Sequence, residues 1–161
     1  MNLVVLFLRT CLPVFCLAAL PILSRGQPAA PRPWSDAVEA RLELAGTNRS
    51  ELAKAFRDAP AARREGLSFL VENMPVSDLN SLSAALLLEH LNLAYEAWEQ
   101  SPWRARVSQE LFLNDILPYA SLSEARETWR AKLRAECLPM ITGVSTPGAA
   151  AQALNQKLFA H

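Results

Sequence analysis

Apolar residues recur along most of this chain with the spacing of an α-helix. From Trp34 onward they fall three or four positions apart in successive runs, and no run alternates apolar and polar residues for long enough to predict a β-strand. The breaks between the runs contain prolines, which lack a backbone N–H and are poorly tolerated inside a helix. The pattern predicts an all-α fold, a compact bundle of six or seven short helices. The prolines at the breaks are Pro60, Pro75, Pro102, Pro118, Pro139 and Pro147.

Capping residues set approximate bounds for the predicted helices. Ser35 can cap the first helix, and Thr146 can cap the last, where Pro147 takes the first helical position. Asn48 with Glu51 and Ser121 with Glu124 have the spacing of capping boxes, which predicts two further helix starts. Residues 75–80 are predicted to form a loop. The first six predicted helices span residues 35–45, 48 to Pro60, 61–73, 81–100, 107–117 and 121 to Pro139. The last predicted helix begins at Thr146.

The run over 81–100 is the longest and has a wide apolar face, which predicts a central helix packed on more than one side. His90 lies on this run beside Glu89. We interpret it as a helix-edge residue and not as a metal ligand, because the chain has no second histidine or cysteine at ligand spacing.

Residues 107–117 are apolar around much of the predicted circumference, so this helix is expected to be buried. It carries Asp115. Because burying an unpaired carboxylate is costly, we expect Asp115 to pair with Arg126 or Arg130. The alternative is acid–base chemistry by Asp115 and Glu110, which would require the two carboxylates to converge in a water-filled pocket.

The predicted helix from Ser121 has an apolar stripe that includes Trp129 and ends at Cys137. Cys137 is interpreted as a small buried hydrophobe, since a helix C-terminus disfavours a reactive thiolate. The arginines are expected on the outer face of this helix. They are Arg126, Arg130 and Arg134.

Residues 1–26 resemble a secretory signal peptide, with an apolar stretch over 10–23 and small residues before a cut after Gly26. An uncleaved membrane anchor is the alternative, although Pro13 and Pro21 disfavour a long regular helix. Residues 27–33 form a Pro/Ala-rich linker, and 34–161 form one helical domain. The expected location is the periplasm or cell envelope, with no membrane association after cleavage.

Composition excludes several classes of function. The chain has 16 basic and 16 acidic residues; removing Arg9 and Arg25 with the signal leaves 14 and 16, a net charge of −2. Such a domain has no basic field for nucleic acid. Phosphate-loop and nucleophile-elbow motifs are absent from the sequence, and no cofactor is predicted. Of three cysteines, only Cys137 lies outside the predicted signal, so no intrachain disulfide is expected.

The stretch "SPWRARVSQELFLNDILPYASLSEARETWRAKL" resembles the helical region that precedes the catalytic domain in exported bacterial transglutaminase-like proteins. There, a motif F-L-x-x-(I/V)-L-P-Y is followed by a loop, an acid and W-R. "AGTNRSEL", "LSFLVENMP" and "AAAQALNQKLF" are also similar to that group, so the resemblance covers about residues 34–161. The matching positions are Phe112, Leu113, Ile116, Leu117, Pro118, Tyr119, Glu124, Trp129 and Arg130.

The resemblance implies a non-catalytic helical module. The family's Cys-His-Asp triad belongs to a papain-like domain beyond the matched segment, and Cys137 does not match its nucleophile. The partner would be that catalytic domain, missing from a truncated gene product, or another protein if the module works alone as a peptide- or protein-binding domain. Pro118 and Tyr119 are expected to set a sharp turn and Trp129 to anchor the next helix. Arg130 is expected to tie down Asp115 or loop carbonyls.

Overall fold

A computed structural model describes residues 32–121 and 123–159, and this part of the chain contains eight α-helices and no β-strand. The predicted all-α fold is therefore confirmed. The predicted signal peptide and all of the predicted linker except Arg32 and Pro33 lie outside the described residues. The helices are α1 (Asp36–Leu44), α2 (Arg49–Asp58), α3 (Arg64–Asn73), α4 (Val76–Leu79), α5 (Ala84–Gln100), α6 (Gln109–Leu111), α7 (Trp129–Cys137) and α8 (Pro147–Leu158).

Several helices begin where the sequence predicts. Ser35 Oγ accepts a hydrogen bond from Val38 N at 3.2 Å, and Thr146 Oγ1 accepts one from Ala149 N at 3.3 Å, so both act as N-caps. Gly46 follows α1 with a positive φ of 53° and opens a 3₁₀ turn. The predicted loop over 75–80 instead contains the short helix α4, because the backbone bonds of this segment close locally onto Pro75 and Val76.

The capping box predicted at Asn48 is wrong. Asn48 ends a 3₁₀ turn with a helical backbone, which keeps its side chain from folding back onto α2. Its amide instead donates to Leu79 O at 2.8 Å and Leu82 O at 2.9 Å. Glu51 accepts from Ala84 N at 2.8 Å and thereby caps α5. The two side chains tie α2 to the chain more than thirty residues away.

The second predicted capping box forms only in part. Ser121 N donates to the Glu124 carboxylate at 2.8 Å, yet α7 does not begin until Trp129. The Arg126 guanidinium donates to Ser121 O and Glu124 O, two carbonyl oxygens that would accept backbone hydrogen bonds if a helix began here. The segment before α7 is therefore irregular.

The helix predicted over 107–117 is short and changes type. After α6, Phe112–Ile116 form a π-helical turn, closed by Leu117 N donating to Phe112 O at 2.9 Å. The wider turn brings Phe112 and Leu117 toward one side, where both are fully buried. Leu111 is left 44% exposed, so the helix that was expected to be buried is buried on one side only.

The core lies within the first two thirds of the described chain. Its buried residues run from Val38 to Tyr119, with α2 and the central helix α5 packed together in the middle. In contrast, α7 contributes no buried residue and α8 contributes only Ala150. None of the described helices is long and apolar enough to cross a membrane.

Candidate functional site

Four of the five residues singled out from the sequence, Pro118, Tyr119, Trp129 and Arg130, meet beside His90 of α5. Tyr119 is buried, and the Trp129 indole N–H donates to Tyr119 O at 2.7 Å. Arg130 donates to Pro118 O at 2.8 Å and Leu117 O at 3.3 Å. Trp129, which was expected to anchor the next helix, thus contacts the turn before it, and Arg130 contacts the carbonyl oxygens of that turn.

Asp115 does not join this group. It is exposed, and among the described residues no ion pair involves it. The π-helical turn directs this position toward solvent, while the two arginines expected to pair with it are engaged elsewhere. The predicted pairing of Asp115 is therefore wrong.

The buried carboxylate of this region is Asp78, at 5% exposure. It accepts the Tyr119 hydroxyl at 2.6 Å and the Arg126 Nε at 3.0 and 3.1 Å. Burial, with a smaller contribution from Asp78, raises the pKa of Tyr119 well above its usual range. Sequence reasoning missed this role, because Asp78 lies in a short helix without a periodic pattern.

His90 is also buried, at 1% exposure, which corrects its interpretation as an edge residue. Its Nε2 lies 2.9 Å from Glu127 O, and Arg130 Nε donates to its Nδ1 at 3.4 Å. The Trp129 ring packs against it with centroids 5.6 Å apart. Burial lowers the pKa of His90. Its position three residues after buried Leu87 is the signal that could have revealed this burial.

The arginines of this region face inward, contrary to the predicted outer face. Arg126 binds Asp78, Arg130 binds the turn carbonyls, and Arg134 binds Glu96 at 2.9 Å. Because helix α7 buries little apolar surface, the polar contacts of Arg130 with His90 and of Arg134 with Glu96 supply much of its attachment to α5.

Beside this cluster, an apolar groove of about 830 Å³ opens between the C-terminal half of α5 and the chain from α7 to Val144. Its wall on α5 is anchored by Trp98, which stacks on buried Phe112 at 4.3 Å between ring centroids. On the far side, Leu133 and Leu138 are 46% and 51% exposed. The apolar lining consists of Leu93, Ala97, Trp98, Pro102, Trp103, Val107, Ile116, Trp129, Leu133, Cys137, Leu138, Ile141 and Val144.

The charged residues that line the groove are both cationic, namely Arg130 and Arg134. Arg134 is neutralised by Glu96. Arg130 donates to carbonyl oxygens and lies over the Trp129 ring at 4.6 Å, and no carboxylate pairs with it among the described residues. This end of the groove therefore carries positive charge.

Cys137 lines the groove and is only partly buried, so its predicted place in the core is wrong. The α7 stripe faces the groove and not a packed helix. Since the thiol lies at the C-terminal end of α7 with no histidine beside it in the described region, the geometry offers no activation of a nucleophile.

A second, polar depression of about 860 Å³ lies on the other side of Trp129 and Arg130. Asp115, Glu124 and Glu127 line it, but Glu110 does not. The convergence of Asp115 and Glu110 that acid–base chemistry would require is therefore not seen. Within 32–121 and 123–159, no group of histidine, cysteine or acidic side chains is arranged to hold a metal ion.

Comparison of the chain with family models, with curated proteins and with solved structures finds no match. The resemblance to transglutaminase-like proteins accordingly stays a prediction, and the site is interpreted from its own geometry.

Proposed function

We propose that the helical domain is a docking module, whose apolar groove binds the apolar face of an amphipathic helix from a partner protein. The observation that carries this proposal is the groove itself. Its exposed leucines are not shielded by any described part of the chain and are therefore free to contact another protein.

The form of the groove favours a helix as the occupant. Leu133, Cys137 and Ile141 recur every four residues along one side, while Leu93 and Ala97 recur on the other. Helix-in-groove recognition uses apolar anchors with the same spacing. Apolar side chains of a partner helix could therefore fit between the two rows.

The charge of the groove further restricts the partner. Arg130 lacks a carboxylate partner among the described residues, and no acidic residue lines the groove. An acidic side chain at one end of the partner helix would complement this cation, whereas a basic one would be repelled.

The resemblance described above suggests the source of this helix. In that interpretation the domain is the non-catalytic helical module of an exported transglutaminase-like protein, and the groove docks the catalytic domain. The alternative is a free-standing binding module of the cell envelope, in which the same groove receives another protein.

Two designed amphipathic peptides test the docking role. Both carry leucines at helical spacing on one face, and they differ only in having glutamates or lysines beside the leucines. Calorimetric titration should give tighter binding of the glutamate peptide. Leu138→Glu should weaken that binding about tenfold or more, because it places a charge in the groove and repels the acid.

Leu158→Glu is the matched control, because Leu158 is 47% exposed but does not line the groove. Equal binding of the two peptides, or an equal effect of the two variants, would contradict the proposal. So would sedimentation data showing that a second copy of the chain covers the groove. For the family interpretation, addition of a transglutaminase-like catalytic domain should protect amides in 133–144 from hydrogen exchange, and no protection would favour the free-standing module.

A further inference from the structure

The contacts of His90 require one particular protonation state. Its Nε2 faces the carbonyl oxygen of Glu127, which can only accept, so Nε2 carries a proton. Its Nδ1 faces the Nε–H of Arg130, which can only donate, so Nδ1 must be unprotonated. The neutral imidazole therefore satisfies both neighbours, and through them it links α5 to the start of α7.

A second proton on the ring would break this arrangement. It would reside on Nδ1 and point at the Arg130 N–H, placing two donors and two positive charges against each other in a buried site. The imidazolium could avoid this conflict if the Arg130 guanidinium moved away from Nδ1. Because that guanidinium also binds Leu117 O and Pro118 O, its movement would weaken contacts that hold the start of α7 in place.

The other groups around His90 do not offset the added charge. On α5 the neighbouring acid is Glu89, whose influence on His90 is smaller than that of Arg130. From the segment 117–128, the Tyr119 ring lies 6.4 Å away by centroids. Behind it, the charge of Asp78 is already engaged by Arg126 and by the Tyr119 hydroxyl.

We propose that His90 is a proton-sensitive latch, which helps to hold α7 against α5 at neutral pH and loosens this attachment on acidification. The loosening of α7 does not depend on what the groove binds. Its consequence for the groove, a less firmly held wall in acid, rests on the proposed docking function.

The direction of this pH dependence follows from the pKa of His90, which burial lowers below its usual value near 6.5. The open state therefore takes up the proton before the closed state does. Attachment of α7 is complete above about pH 6.5 and weakens as the pH falls toward the lowered pKa, below which it changes no further.

Amide hydrogen exchange of α7 at about pH 7 and pH 5, corrected for intrinsic rates, tests the latch without a partner. Protection of residues 129–137 should fall roughly tenfold relative to that of α2, which serves as an internal reference. His90→Gln should abolish this difference, because the glutamine amide can donate to Glu127 O and accept from Arg130 without titrating. His161→Gln, which removes the only other histidine, should leave the response intact.

A pH response that persists in His90→Gln would overturn the latch. If that variant fails to fold, the NMR titration of the wild-type His90 ring decides, and a pKa at or above that of a free histidine would count against it. A working latch with no acidic-peptide binding at either pH would leave this inference standing and remove the docking function. Binding of the acidic peptide without a pH response of α7 would remove the latch and leave the docking function standing.

Discussion

At the scale of single residues, Asp78 makes the contacts on which the segment 117–128 depends. It is the buried acceptor for both the Tyr119 hydroxyl and the Arg126 guanidinium. Asp78→Ala would leave the hydroxyl buried without this acceptor and would remove the carboxylate that binds Arg126. We expect a loss of about 3 kcal/mol in the free energy of unfolding, measured by urea titration.

Asp115→Ala provides the comparison for that measurement. Asp115 was expected from the sequence to be the structural acid of this region, but it is exposed, so its removal should change the unfolding free energy by no more than about 0.5 kcal/mol. Similar effects of the two alanine variants would show that the assignment of Asp78 is wrong.

At the scale of elements, α3 approaches the neighbouring helices at Gly66. A Cβ added there would lie 2.7 Å from the Tyr95 hydroxyl oxygen, 2.8 Å from its ring Cε2 and 3.2 Å from Leu117 Cδ2. Tyr95 cannot easily move, because it packs on Phe112 at 4.7 Å between ring centroids. Although alanine has the higher helix propensity, Gly66→Ala should therefore destabilise the fold by about 1–2 kcal/mol.

Gly148 in α8 is the matched glycine, since nothing lies within 4 Å of its added Cβ. Gly148→Ala should be neutral or stabilise by up to about 1 kcal/mol, through helix propensity alone. Thermal melts of both variants, followed by circular dichroism, separate the two effects. Stabilisation by Gly66→Ala would contradict the close packing of α3.

Local sequence signals predicted most of the helices. They did not predict the partners of side chains that bind residues distant in sequence. Ser35 and Thr146 cap the helices they precede, because the bond they make is local. Glu51 has the local spacing of a capping box but caps α5, and Asn48 binds the turn before α5. Local spacing cannot exclude a more favourable partner that only the folded chain brings near.

At the scale of the whole molecule, the sequence predicted the residues around Trp129 as structural, but it could not distinguish a groove from a core. The stripe from Trp129 to Cys137 has the period of a buried helix face. The side chains of this stripe are only partly buried, because no described element packs over the side that faces the groove. Periodicity shows that a face is apolar, whereas coverage depends on which other elements reach it.

This uneven coverage predicts two levels of stability within the molecule. Helices α2 and α5 are held by many fully buried side chains, while the only buried residue of α7 and α8 is Ala150, at 5% exposure. Native-state hydrogen exchange in low denaturant should therefore show α7 and α8 opening at free energies at least about 2 kcal/mol below global unfolding. Exchange of α5 should instead require global unfolding. A single opening energy for all helices would mean that polar anchors such as Arg130 and Arg134 attach α7 as firmly as apolar packing attaches α2.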